Sequence, residues 1–509
     1  MSTKKQTISR LVMAIILVFV VPQSVSVVLA DIEDCDERVN NTFNKLLECV
    51  TLDGVRSHQA AFQAIADANG GTRAAGTPGY DDSVAYVAET LAAAGYDVEL
   101  NPFDLTVVPP ATLQQSAPIA AIYETGSFTG SGFGAVTAPV FPVDLALGNA
   151  AWPADPGTST SGCEVTDFVG FPAGSIALVQ RGACFFSTKA VNAEAAGAVA
   201  TIFFNQGNSP TRMGLIVGNA ATLPNGDPSN LTRPVVGASF PQGVALSQTG
   251  SEAFIDVDPP EHVTQFNVLA ELRGKNADNV VMAGAHLDSV QAGPGVQDNG
   301  SGSAAILETA VQMAKVKPVN TVRFAWWGAE ESGLVGSTAY VSGLSQEELD
   351  QIALYLNFDK IGSPNYVFFI YDGDDSDGVG AGPGPEGSGQ IEALFESFYE
   401  GQNLPFKGTD FSGRSDYGPF IAVGIPAGGL FTGAEVIKTE EEAAIWGGTA
   451  GIQYDPCYHL ACDTFDNISL EALGVNPDAV AFSVLRYGMN TEDINGVKGK
   501  GNFNPQPRE

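Results

Sequence analysis

The sequence predicts an α/β protein: a mostly parallel mixed sheet flanked by helices, interrupted by a second, inserted α/β domain. Three observations carry this. From Phe266 onward, strand-like apolar runs alternate with helical ones, as crossover connections between parallel strands require. From about Pro109 to Pro260 the texture changes: basic residues thin out and Gly, Pro, Ser and Thr become common. Finally, 509 residues with 44% hydrophobic content exceed one ordinary domain.

In chain order, Lys4, Lys5 and Arg10 precede an apolar run from Leu11 to Val21, and small residues lead to Ala30. This is the pattern of a secretory leader over residues 1–30, cleaved after Ala30. Pro22, Gln23 and two serines argue against a retained membrane anchor. Residues 31–115 form the first part of the main domain. Helices are predicted over Ser57–Asn69 and Asp81–Ala94, the second ended by Gly95, with a glycine-rich turn at Gly70–Tyr80 between them. A strand follows over Tyr96–Phe103. Residues 116–260 form the insert, with strands over Ser175–Gln180, Ala198–Phe204 and Pro234–Ser239 and a helix over Phe185–Ala196. It has no histidine, so a histidine-based site cannot lie in it alone. Residues 261–490 complete the main domain. Its strands are Phe266–Leu272, Asn279–Ala283, Thr321–Trp327 and Tyr366–Tyr371, with another ending near Asn357; its helices are Ser301–Lys315, Gly336–Leu344 and Ile391–Tyr399. The tail over 491–509 is polar and expected to be loosely ordered.

The formal net charge of −34 argues against a nucleic-acid partner, because phosphate contacts need basic patches. It fits a solvated, weakly self-associating surface, and a monomer is expected without stable membrane association. Six cysteines fall into three close pairs, Cys35/Cys49, Cys163/Cys184 and Cys457/Cys462. An even count behind an export signal reads as three local disulfides. The alternative, a cysteine metal site, lacks CxxC spacing.

The chemistry concentrates where strands end. His286 closely follows a strand and precedes Asp288, which can orient its imidazole. Asp298 precedes Asn299-Gly300-Ser301-Gly302, whose glycines allow close backbone approach at a helix start. Alone, Asp298 reads as a helix cap; beside His286 it reads as a carboxylate bridging two metals. Glu330 and Glu331 follow a buried strand, where adjacent acids repel unless a cation compensates. One can ligate while the other serves as general base. Asp359 and Lys360 follow another apolar strand. His459 sits between Cys457 and Cys462, and the hydroxyl of Tyr458 can reach a developing oxyanion. His58, on a presumed surface helix, and His262, at a domain junction, adjoin no other ligand types and read as structural. Asp372-Gly373-Asp374-Asp375-Ser376-Asp377 offers a possible Ca2+ loop, but its spacing fits poorly and a solvated turn is favoured.

These motifs, in this order, resemble the co-catalytic di-zinc aminopeptidase family, whose relatives include aminopeptidase Y, glutamate carboxypeptidase and glutaminyl cyclase. The resemblance covers residues 55–110 and 262–488 and implies the zinc exopeptidase fold. It implies two Zn2+ per chain: His286 and Asp359 on one, Glu331 and His459 on the other, Asp298 on both. Glu330 would be the general base, Asp288 would orient His286, and Tyr458 would stabilise the tetrahedral intermediate. The Asp298–Asn299 peptide would be cis. Substrates would be peptide or protein N-termini, the free amine held by acidic groups near Glu330 and Asp359.

The segment Gly413–Phe420 resembles one beside the substrate in that family, so Arg414 can contact substrate or pair with Asp416. The segment Gly428–Thr432 resembles another, with Phe431 lining the side-chain pocket. Lys360 departs from close relatives that prefer large apolar residues, which tend to carry an apolar residue there; it would favour acidic substrates or turn its ammonium outward. The insert resembles a protease-associated domain through Phe171–Phe186, which implies a non-catalytic unit framing the cleft; a plain solubilising insertion is the alternative. The expected activity is thus that of a secreted, extracellular aminopeptidase. A carboxypeptidase or dipeptidase would need more clustered cations. A glutaminyl cyclase needs one metal, and a non-catalytic binding protein should lack a ligand or the base.

Overall fold

The structure, a computed structural model, describes residue 35 and residues 37–147, 159–380 and 382–503. The leader read over 1–30 and residues 504–509 of the tail lie outside the described residues. In chain order the strands are β1 (Val98–Val107), β2 (Thr112–Ala117), β3 (Ala121–Tyr123), β4 (Gly134–Val143), β5 (Ile176–Gln180), β6 (Ala200–Phe204), β7 (Val235–Ala238) and β8 (Glu252–Val257). They continue with β9 (Glu261–Leu272), β10 (Asn276–His286), β11 (Asn320–Trp327), β12 (Ile352–Phe358), β13 (Phe369–Tyr371), β14 (Lys407–Thr409) and β15 (Ala427–Phe431).

Two sheets result. The larger has the order β1-β9-β11-β10-β12-β15-β13-β14. Its centre, β11-β10-β12-β15, is parallel, and antiparallel pairings flank it. The central strands are buried on both faces, which explains their nearly continuous apolar sequences. Helix Gly300–Met313 packs among helices Leu52–Ala68, Pro78–Ala94 and Leu470–Met489. All its residues but Val311 and Gln312 are therefore buried. On the opposite face Trp327, Tyr340, Tyr355 and Phe420 form an aromatic cluster, with Tyr355 and Phe420 stacked at 4.1 Å.

The smaller sheet has the order β3-β2-β8-β4-β5-β6-β7, and β4 to β7 run parallel. It already includes β2, so the insert's own sheet starts at Thr112, ahead of the expected 116. The insert is carried on β1 and β9, which pair antiparallel from Val98/Ala270 to Val107/Glu261. This ladder keeps the main sheet continuous across the insertion.

The three disulfides join Cys35–Cys49, Cys163–Cys184 and Cys457–Cys462, as the local spacing predicted. Two expectations change. His58 is buried rather than on an open surface: its Nδ1 lies 2.7 Å from the Tyr86 hydroxyl and its Nε2 3.3 Å from Glu308. Its role is still structural. The tail is not loose through residue 503: Glu492–Asn495 is helical and Phe503 packs on Phe43. An aromatic near the end supplied the burial that its polar neighbours did not suggest.

Candidate metal centre

The site sits at the carboxyl ends of the central parallel strands. His286 is the last residue of β10, opposite Trp327 at the end of β11, and Asp359 follows β12 directly. Glu330 and Glu331 follow β11 after Gly328 and Ala329. Parallel strands end together, so residues far apart in sequence converge. Two glycines make the convergence sterically possible. A Cβ on Gly284 would lie 2.4 Å from the Tyr355 hydroxyl and 2.6 Å from Trp327 Nε1, displacing the 2.8 Å bond between them. A Cβ on Gly302 would lie 2.1 Å from the Phe358 carbonyl, forcing helix Gly300–Met313 off the end of β12.

Asp298 is the hub. His286 Nε2 lies 3.2 Å from Asp298 Oδ1 and 3.2 Å from Asp359 Oδ1. His459 Nε2 lies 3.3 Å from Asp298 Oδ2 and 3.0 Å from Glu331 Oε2. Two groups that could each hold a metal ion therefore overlap at one carboxylate: His286, Asp298, Asp359 and Asp298, Glu331, His459. Each imidazole takes a different Asp298 oxygen, as a bridging carboxylate requires. The cap reading of Asp298 fails, because Asn299 caps the helix: its Oδ1 accepts from Gly302 N at 2.9 Å. The Asp298–Asn299 peptide is cis.

Asp288 does more than orient His286. Its carboxylate is 3.7 Å from His286 Nδ1, and its backbone carbonyl is nearer at 3.1 Å. Its two oxygens instead accept from the Glu330 and Glu331 amides at 3.1 and 3.3 Å. One buried aspartate thus fixes both glutamates beside the histidine. Burial pushes the Glu330 carboxyl well above its ordinary value, partly opposed by His286. Burial works to lower His459, yet its bonds to Asp298 and Glu331 raise it to about 10.

Lys360 does not turn outward. It is 8% exposed, with Nζ 2.9 Å from Asp359 Oδ2 and 3.2 Å from Asp298 Oδ1. Ala329, Lys360 and His459 all have positive φ, at 54°, 52° and 58°, a conformation unfavourable for non-glycine residues. Ala329 and Lys360 lie in strand-end loops, and His459 lies in the loop closed by the Cys457–Cys462 disulfide.

A cavity of ≈ 390 Å³ opens beside Asp359 and is lined by Lys360, Arg414, Phe431 and Tyr458 among others. Phe431 stacks on Phe369 at 5.9 Å, and Tyr458 stacks on His459 at 3.8 Å. Arg414 is exposed and pairs at 3.5 Å with Glu435 rather than Asp416. Asp416 is fully buried, and burial raises its carboxyl to about 7. Among the described residues, none of the insert lines this cavity.

Several supports were not visible in sequence. Arg73 is fully buried and donates to the carbonyls of Leu287, Pro294 and Gly295, pinning the loop between His286 and Asp298. Asp463 accepts from the Gln297 and Asp298 amides at 2.9 and 3.0 Å. Ser415 donates to Asp359 Oδ2 at 2.9 Å and is itself held by Asn357. Asp463 could have been suspected from its place beside Cys462; Arg73 is one residue in a glycine-rich turn and carries no periodic signal.

The donor set fits a metal. Five carboxylates (Asp288, Asp298, Glu330, Glu331 and Asp359) crowd two imidazoles and one ammonium, and buried Glu331 Oε1 has no hydrogen-bond partner. An α/β sheet presenting such a set at its strand ends has the donors of a metal-dependent hydrolase. The profile of peptidase family M28 matches residues 267–484, and that of the PA domain matches residues 136–246. An aminopeptidase of Pseudomonas aeruginosa is 49% identical over 458 residues, covering 88% of this chain and 83% of that protein. A "Probable lipoprotein aminopeptidase" of Mycobacterium tuberculosis is 41% identical, covering 88% and 87%. The structure of a zinc aminopeptidase from Bacillus subtilis superposes with a TM-score of 0.61 at 26% identity, covering 85% and 94%. The chain belongs to peptidase family M28, carries a PA-domain insertion, and is a metalloexopeptidase.

Proposed function

We propose that the protein is a secreted, zinc-dependent aminopeptidase that removes N-terminal residues from peptides. The observation that carries the reading is the sharing of Asp298 between two histidine-carboxylate groups. His286 and Asp359 would hold one zinc, Glu331 and His459 the other, and Asp298 would serve both. Bound there, the zinc pair would supply Lewis acidity and a nucleophilic water at neutral pH. Glu330, held by Asp288, accepts the proton of the attacking water on its carboxylate and returns it to the leaving amine. Tyr458 donates its hydroxyl hydrogen to the developing oxyanion. The acidic surroundings of Glu330 and Asp359 suit a free, cationic N-terminus.

A carboxypeptidase would need unclaimed cations in the cavity. Lys360, Lys407 and Arg414 each already face a carboxylate: Asp359, Glu442 and Glu435. This favours the aminopeptidase. Export is supported by the three disulfides, and no described helix is long and apolar enough to cross a membrane. The lipoprotein relative makes an anchored form the alternative.

A panel of free and N-blocked peptides, assayed with and without a chelator, tests the activity. Cleavage of the free peptides alone, lost with the chelator and restored by zinc, is expected. Efficient cleavage of blocked peptides sinks the aminopeptidase reading.

A further inference from the structure

We propose a second cation site, formed by Asp372, Asp374 and Glu392, that takes a hard divalent ion of the calcium type. It lies at the end of β13, apart from the histidine-bearing centre. Each of the three residues offers a carboxylate oxygen, and these oxygens lie within 4.8 Å of one another. The group joins two separate segments, because Glu392 belongs to helix Ser388–Gly401.

A cluster of acids on a surface would mean little. Here Asp372 is 1% exposed, and both its carboxylate oxygens are buried without a hydrogen-bond partner. An ionised carboxylate is stable in such a place only with a cation or a proton beside it. Among the described residues no basic side chain pairs with it. Glu392 Oε2 accepts from the Gly373 and Asp374 amides at 2.9 and 3.2 Å. Burial raises its carboxyl to about 7, and its charged influences are all acidic: Asp374, Asp372 and Glu396. Close packing fixes the geometry. A Cβ on Gly389 would lie 2.7 Å from the Asp374 side chain, and one on Gly373 would lie 2.5 Å from the Ser388 carbonyl.

The donor set chooses the ion. It contains only carboxylate oxygens and neither imidazole nor thiolate, which suits calcium rather than zinc. Asp374 is exposed, so water can complete the coordination. The sequence run from Asp372 to Asp377 hinted at such a loop, but Asp375 and Ser376 are exposed and the Asp377 carboxylate is taken by the Gly408 amide. The third ligand comes from the following helix.

The site has a purpose at the cavity wall. Asp372 N donates to the Thr409 carbonyl at 3.0 Å, and Asp377 accepts from Gly408 N at 2.7 Å. Val379, Gly408 and Thr409 line the cavity beside Asp359. A cation there clamps this wall to helix Ser388–Gly401 and stiffens the pocket that receives the substrate.

The test is equilibrium dialysis of the zinc-loaded full chain against radioactive calcium, with melting curves and zinc content on the same samples. The expected result is saturable binding with Kd of about 10⁻⁴–10⁻³ M, weakened at least about tenfold by Asp372→Asn and by the exposed Asp374→Asn. Calcium should raise the melting temperature of the natural protein and leave that of Asp372→Asn unmoved. Without calcium, Asp372→Asn should melt at the same or a higher temperature, since it removes an uncompensated buried charge. Calcium binding unaffected by both substitutions overturns the proposal. So does a loss of zinc in Asp372→Asn, or an equal response to magnesium at the same concentration. If Asp372→Asn does not fold, Asp374→Asn decides the same question.

Discussion

Two lysines, one in each domain, are buried in similar places and behave in opposite ways. Lys189 lies in the insert beside the end of β5, and its Nζ donates to the carbonyls of Ser161 and Gln180. Burial lowers its ammonium to about 8. Lys360 follows the end of β12 in the peptidase domain. Burial again works to lower it, but Asp298 and Asp359 outweigh burial and hold it well above the ordinary value. Both domains stack parallel strands, and both bury a lysine near their ends. The difference is what touches it: Lys189 bonds neutral carbonyls, with Asp167 and Asp144 too weak to offset burial, while Lys360 bonds two carboxylates directly. Fold therefore says where chemistry can occur, and strand-end residues say whether it does.

The largest expected effect lies on the charged side of this comparison. Glu330→Gln should lower kcat by about 10²–10⁴-fold on an aminoacyl nitroanilide while zinc content stays unchanged. Wild-type turnover in that variant would remove Glu330 from the mechanism. Next comes Lys360→Met. If the lysine selects acidic substrate side chains, the preference for leucine over glutamate substrates should rise about tenfold, the effect of one charged hydrogen bond. An unchanged ratio would confine Lys360 to its pairs with Asp298 and Asp359. Lys189→Met probes the insert. Between about 8 and the ordinary lysine value, the unfolded chain binds a proton that the folded insert does not. Stability of the natural protein should therefore rise with pH across that window. Melting temperatures of Lys189→Met should lack this rise and lie lower overall, because two carbonyls lose a donor at about 1–3 kcal/mol each. The smallest effect belongs to Arg414→Ala, whose exposed pair with Glu435 is worth about 0–1 kcal/mol. Thermal melts should barely shift, so any change in KM reports substrate contact alone.

Much of the site was legible because its residues stand where apolar runs stop. His286, Glu330, Glu331 and Asp359 each follow a strand that the pattern predicts, and parallel strands bring such ends together. The disulfide pairs were legible from their spacing. The roles of Asp288, Arg73 and Asp463 were not, because they act by accepting or donating main-chain hydrogen bonds from loops. A sequence does not show which amide a side chain will meet.

The sequence alone determined the alternation that gives the sheet, the length and texture that reveal the insert, and the residue types at each strand end. Those are local properties, set by side-chain polarity and backbone preference. Only tertiary structure decided that Asn299 caps the helix and frees Asp298, that Lys360 turns inward, and that Glu392 joins Asp372 across a turn. The first depends on which of two adjacent side chains turns to the Gly302 amide. The last two depend on distance between segments remote in the chain, and electrostatics is fixed by distance and burial rather than by order in sequence.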